Sequence, residues 1–178
     1  MIVISDTAPL IFFGKINRLN ILRDLYKNIY IPSEVWDELI YPLTHLDKNI
    51  PEDIKLELEA KKAGWLIVKN PEKEESIELA LTLSLELGLG ESYAIALSKE
   101  LNADLLIMND KKARDIANKL GINTKWTTEV LIEAISRKLI NSYNNFIEIL
   151  DTMIDNGLWI EKDYYENLLE NAKKIFQI

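Results

Sequence analysis

At 178 residues, 48% hydrophobic and 28% charged, the chain is long enough for one domain with an ample core and carries the balance of an ordinary globular protein. The absence of cysteine excludes disulfides and thiolate metal centres, and a single histidine, His45, leaves too few imidazoles for a His-based zinc site or a histidine dyad. A formal charge of -8 argues against a general electrostatic grip on nucleic acid, so any such contact has to come from metal-neutralised acids or a local basic patch.

Residues 2–5 are an apolar run closed by Asp6 and predict a strand, without the cationic lead of a secretory signal. No apolar run approaches the roughly 18–20 residues of a membrane span, so a cytoplasmic protein is expected. Helices are predicted over 8–14 and 19–26, a strand over 28–31, and a helix over 33–40 that follows Pro32. A polar loop is expected from 41 to 51, with His45 exposed in it, then a helix over 52–63 and a strand over 65–68. Between 73 and 87 the apolar residues Ile77, Leu79, Leu81, Leu83, Leu85 and Leu87 alternate strictly. Period two is a strand signature, yet Leu, Ala and Glu are strong helix formers, so a helix ended by Gly88 is predicted. Helices over 91–101, 110–119 and 128–138 enclose strands over 104–108 and 122–125. This alternation of short apolar runs with amphipathic segments predicts an α/β fold around a parallel sheet of about five strands. The tail differs in kind. Tyr143, Phe146, Ile147, Leu150, Met153 and Ile154 keep helical spacing, as do Tyr164, Leu168, Ala172 and Ile175, on either side of the turn Asp155-Asn156-Gly157. A helical hairpin over 141–178, packed on a domain of residues 1–140, is expected.

The chemistry gathers on four acids. Asp6 and Asp110 close apolar runs, and the carboxyl ends of parallel strands are where ligands collect. Acids brought together there without basic partners repel one another unless a hard cation sits among them. Each acid also has a structural reading. Asp6 and Asp110 suit helix N-caps, Glu91 suits the positive end of a helix, and Glu38 suits a solvated face shared with Glu34. Lys111, Lys112 and Arg114, directly after Asp110, are candidates either for substrate binding or for a plain solvated face. Trp126 fits core packing or a base-stacking surface.

The four segments Ile4-Ser5-Asp6-Thr7-Ala8-Pro9-Leu10-Ile11, Ile31-Pro32-Ser33-Glu34-Val35-Trp36-Asp37-Glu38, Gly90-Glu91-Ser92-Tyr93-Ala94-Ile95-Ala96-Leu97 and Met108-Asn109-Asp110-Lys111 agree in order and spacing with one family. Over residues 1–140 the chain resembles the PIN-domain nucleases, and most closely the PIN-like branch that opens on a D-T-[SA]-P-L-I signature. The resemblance implies a three-layer α/β/α fold. It implies Asp6, Glu38, Glu91 and Asp110 as catalytic acids, of which Asp6, Glu91 and Asp110 hold Mg²⁺ or Mn²⁺, with Thr7 and Thr127 in support. The implied reaction is hydrolysis of single-stranded RNA, leaving 3′-hydroxyl and 5′-phosphate ends. An antitoxin protein and a second copy of the chain are the implied partners, since many small relatives are toxins of toxin–antitoxin pairs. The sequence departs from the pattern in three places. Ala8 stands where serine is frequent, Asn109 stands where aspartate is frequent, and the glycines of a T-G-T-x-G motif are replaced around Thr127 by Trp126 and Glu129. These departures leave a non-catalytic PIN-fold scaffold as the competing expectation. A phosphoryl-transfer domain with Asp6 as nucleophile is weaker, because no D-x-D pair follows the first strand.

Overall fold

In the computed structural model, which describes residues 1–44 and 50–177, five short strands form one all-parallel sheet in the order β3-β2-β1-β4-β5. They are β1 (Val3–Ser5), β2 (Ile29–Ile31), β3 (Leu66–Val68), β4 (Leu105–Ile107) and β5 (Thr124–Lys125). Both faces of the sheet are covered, which is why β1 and β4 are continuous buried runs rather than alternating ones. Their side chains still divide by period two. Val3, Leu105 and Ile107 enter a large core on one face, while Ile4, Leu106 and Met108 enter a smaller one on the other. The result is the three-layer α/β/α architecture expected from the sequence.

Helices α1 (Thr7–Lys15), α2 (Asn20–Tyr26), α3 (Ser33–Ile40) and α4 (Glu52–Lys62) lie among β1, β2 and β3 in the chain. A short 3-10 turn, Tyr41–Thr44, occupies the start of the expected loop, and His45 falls outside the described residues. Next come α5 (Glu74–Leu83), α6 (Leu89–Leu101), α7 (Lys111–Lys119) and α8 (Thr127–Ser136). The alternating leucine segment is helical, but α5 stops at Leu83 rather than running to Leu87. The Ser84 hydroxyl donates to the Leu81 carbonyl at 2.7 Å, a side-chain bond of the kind that competes with helix continuation. The chain then turns, and α6 begins two residues earlier than expected, with Gly88 at its N-cap.

The hairpin helices α9 (Tyr143–Asp155) and α10 (Lys162–Phe176) put Phe146, Ile149, Leu150, Met153, Leu168 and Ala172 into the larger core. A hydrogen bond of 2.8 Å between the Thr128 and Tyr164 hydroxyls ties α10 to the first turn of α8. Among the described residues, no helix is long and apolar enough to cross a membrane.

The strand order sets the site. From β1 the chain proceeds outward to β2 and β3 on one side, then returns to β4 beside β1 and proceeds to β5 on the other. The register Val3↔Leu105, Ile4↔Leu106, Ser5↔Ile107 aligns the carboxyl ends of β1 and β4. At such a reversal the following helices diverge and leave a crevice. Asp6 and Asn109-Asp110 follow these two strands directly.

Candidate functional site

Asp6 is fixed by its backbone, whose N–H donates to the Ile107 carbonyl at 2.9 Å across the β1/β4 junction. It occupies the N-cap position of α1, yet its side chain makes no capping hydrogen bond, and the residue is only 5% exposed. Burial pushes its carboxyl up to about 7, against the partly offsetting amide of Thr7. The charges of Glu91, Glu38 and Asp110 push it up further, so the four acids predicted from sequence stand within electrostatic reach of one another.

Glu38 reaches this edge from α3 and is held on both oxygens. The Thr7 hydroxyl donates a short hydrogen bond to Oε2, and the Gly90 N–H donates to Oε1 at 3.3 Å. Gly90 is required by that approach, because a Cβ there would lie 2.9 Å from each Glu38 carboxylate oxygen. Glu91 sits at the third position of α6 and accepts the Gly88 N–H at 3.1 Å. Its carboxyl is raised by burial first and then by Asp110 and Glu38, against the lowering effect of Gly88. Asp110 caps α7, its Oδ1 accepting the Ala113 N–H at 2.7 Å. The structural readings of Glu91 and Asp110 therefore hold alongside their place in the acidic group. None of the four forms an ion pair among the described residues.

The donor set suits a hard divalent cation, being all carboxylate oxygen with one buried member, Asp6, that has neither cap nor counter-charge. Among the described residues the acids are not drawn into a ready-made coordination group. Glu38, Glu91 and Asp110 are instead turned onto backbone amides of α6 and α7.

The Thr127 region works differently from a phosphate cradle. The Thr127 N–H and hydroxyl both donate to Asn109 Oδ1, at 3.0 and 2.9 Å, and the Trp126 N–H donates to Glu129 at 2.6 Å. These amides are occupied by the chain's own side chains. The basic trio also splits. Lys112 pairs with Glu86 at 2.9 Å, and Arg114 pairs with Glu129 at 3.3 Å while its guanidinium lies 4.5 Å over the Trp126 ring. Lys111 alone of the three lines the cavity that opens beside Asp110. Two features escaped the sequence reading. The clearance that Gly90 gives Glu38 was visible only as a glycine before Glu91. The cavity itself needs residues 158–161, which no motif marks.

Residues 2–174 match a family model described as a PIN domain, a class whose members are generally nucleases and typically use divalent metals. No curated protein shows significant similarity to the chain. Since the match runs from the first strand into the last helix, and the parallel sheet with acids at its carboxyl edge is the nuclease-type fold that such a match implies, the chain belongs to the PIN-domain family.

Proposed function

We propose that this PIN domain is a metal-dependent endoribonuclease that hydrolyses phosphodiester bonds of single-stranded RNA. The observation that carries the reading is Asp6, a buried and uncapped carboxyl at the strand-order reversal with three other acids around it and no basic side chain paired to any of them. Burying such a group costs free energy that the Thr7 amide offsets only in part, and a bound cation would offset more of it. Asp6, Glu91 and Asp110 would hold Mg²⁺ or Mn²⁺. When bound, that ion supplies a lowered water pKa and charge stabilisation at the leaving oxygen.

The chain's own residues do the positioning. Thr7 and Gly90 fix Glu38 on both oxygens, so its place is set before any substrate arrives. Thr127 locks Asn109 and with it the backbone that leads into Asp110. Lys111 offers a cation to the substrate's phosphates. Residues 1–140 form the nuclease domain in this reading, and residues 141–178 are an extension packed on it.

Manganese calorimetry and single-stranded RNA cleavage, measured on wild type and Asp6→Asn, test the proposal. Both activities are expected in wild type and lost in the variant. Undiminished cleavage by Asp6→Asn would overturn it.

A non-catalytic scaffold is the second reading. It draws support from the internally occupied amides of Trp126 and Thr127 and from the internal pairing of Lys112 and Arg114. RNA retained on the protein without cleavage in manganese would favour it.

The toxin role and an antitoxin seated in the acidic crevice rest on family resemblance. Growth arrest on expression that disappears with Asp6→Asn is the expected sign of the toxin role. A homodimer draws support from exposed apolar side chains, Ile77 and Leu81 on α5, Leu85 in the turn that follows it and Leu89 at the start of α6. Leu85, at 84% exposure, is the most open of them. Light scattering should show a dimer that Leu81→Glu with Leu85→Glu reduces to a monomer.

A further inference from the structure

Beside the acidic edge lies a cavity of about 450 Å³, within the roughly 300–1,000 Å³ typical of small-molecule clefts. Its walls come from three parts of the chain: Asn109, Asp110 and Lys111 after β4, Trp126 after β5, and Trp159 and Tyr164 around the start of α10. The hairpin is thus part of the cavity, and Asp110 belongs both to the cavity and to the acidic group.

One wall is rigid. The Trp126 indole is gripped by the Arg114 guanidinium 4.5 Å from its ring and by the Tyr164 ring, edge-on with centroids 5.1 Å apart. Tyr164 is in turn pinned by Thr128 at 2.8 Å. The cavity is also lined by Trp159, a large aromatic left 79% exposed on the connection between α9 and α10. Two polar atoms in these walls are buried and have no hydrogen-bond partner: Asn109 Nδ2 and Trp126 Nε1. Both are donors only. Buried donors without partners are rare, and these two mark strain in the packing behind the cavity wall.

Taken together, we infer that this cavity is a nucleobase subsite that seats the base next to the cleaved phosphodiester. The inference rests on the ribonuclease reading for the identity of the strand. A nucleotide supplies a flat π-face for the open Trp159 ring and a phosphate for Lys111. Its own phosphate would then lie between Lys111 and the acids that include Asp110. An apolar peptide side chain would leave Lys111 without an anion, and the shared Asp110 argues for a ligand continuous with the acidic edge.

The test combines two probes. The first is binding of the four nucleoside 5′-monophosphates, followed by tryptophan fluorescence in metal-free buffer, on wild type, Asp6→Asn, Trp159→Ala and Trp159→Phe. Trp159 is exposed, so its replacement leaves the core intact. Saturable quenching is expected in wild type and in Asp6→Asn, with affinity about ten-fold weaker in Trp159→Ala and restored in Trp159→Phe. The second probe is a set of single-stranded RNAs with one abasic residue at successive positions. One position flanking the cut should lose about ten-fold in kcat/KM with wild type and nothing further with Trp159→Ala. Equal binding by wild type and Trp159→Ala, or cleavage indifferent to every abasic position, overturns the subsite while leaving the nuclease reading standing. Trp159-dependent nucleotide binding in a protein that cleaves no RNA supports a nucleobase site in this cavity and overturns both the nuclease reading and the placement of the base beside a cut.

Discussion

The two ends of α1 each meet a buried carboxyl group, and the contrast between them shows what marks a site. At the N-terminal end, Asp6 is 5% exposed and raised to about 7. At the C-terminal end, Glu57 of α4 is 2% exposed and raised to about 8, by burial first and then by Asp53. Its Oε2 has no hydrogen-bond partner. Gly14, in the last turn of α1, makes this close packing feasible, since a Cβ there would meet Asp53 Cβ at 3.2 Å and Glu57 Oε1 at 3.4 Å. Judged by the shift alone, the two groups are alike. Their company differs, however. Glu57 has one acidic neighbour from its own helix and faces the negative end of the α1 dipole, which further opposes ionisation. Asp6 has three acids delivered by α3, α6 and α7 to the reversal in strand order, at the positive end of α1. Convergence of several elements on one ionisable group, rather than the size of its pKa shift, distinguishes a candidate site from a buried charge within packing.

The sharpest way to break this contrast is to neutralise each group in turn. Asp6→Asn is expected to remove RNA cleavage entirely while raising the melting temperature of the metal-free protein, because a buried, mutually repelled acid is replaced by a neutral amide. Manganese should raise the melting temperature of wild type by mass action and leave that of Asp6→Asn unchanged. A variant that melts lower without metal would mean that Asp6 holds the fold together. Next in size is Gly90→Ala. The new Cβ would stand 2.9 Å from both Glu38 oxygens and force that flexible carboxylate off its seat. Misplacing a catalytic group by about 1 Å can cost about 100-fold in rate, and a loss of that order in kcat is expected, with folding nearly unaffected. Retained kcat would remove Glu38 from the machinery.

Much of this was legible in the sequence. All five strands emerge at or within the predicted runs; β1 and β4, covered on both faces, are continuously buried, whereas β5 is only Thr124–Lys125. Asp6 and Asp110 could be named in advance because they close apolar runs, whereas Glu38 and Glu91 were singled out by the resemblance to the PIN-domain family. Distances between elements were not legible. Nothing in the text around Gly90 says that Glu38, 52 positions earlier, lies on its amide. Arg114 and Lys112 read as free cations until their partners Glu129 and Glu86 come into view, because ion-pair partners depend on how helices pack. Glu57 gave no signal at all. Its place among Ile54, Leu56, Leu58 and Ala60 on α4 is ordinary for a surface glutamate, and only the docking of α4 on α1 buries it.

The smallest expected effect is also the one that isolates Glu57. Below pH 4.5, its ordinary value, Glu57 is protonated in both the folded and the unfolded chain and contributes no pH dependence. Between 4.5 and about 8 the unfolded chain releases this proton while the folded chain keeps it, so the folded state binds more protons and stability falls as pH rises. Above about 8 both forms are ionised and the loss levels off. Each pKa unit is worth about 1.4 kcal/mol, so the full shift would amount to several kcal/mol, reduced by whatever local relaxation lets water reach the carboxylate. Glu57→Gln keeps the shape and removes the titration. The stability gap between variant and wild type in urea is therefore expected to be near zero at pH 4.5 and to grow to roughly 2 kcal/mol in favour of the variant at pH 8.5, with RNA cleavage unchanged. Comparing the two proteins at each pH cancels the contribution of Asp6, which titrates in both. A gap that stays flat across this range would mean that Glu57 has found a partner or water, and one that closes as pH rises would reverse the sign and the assignment with it.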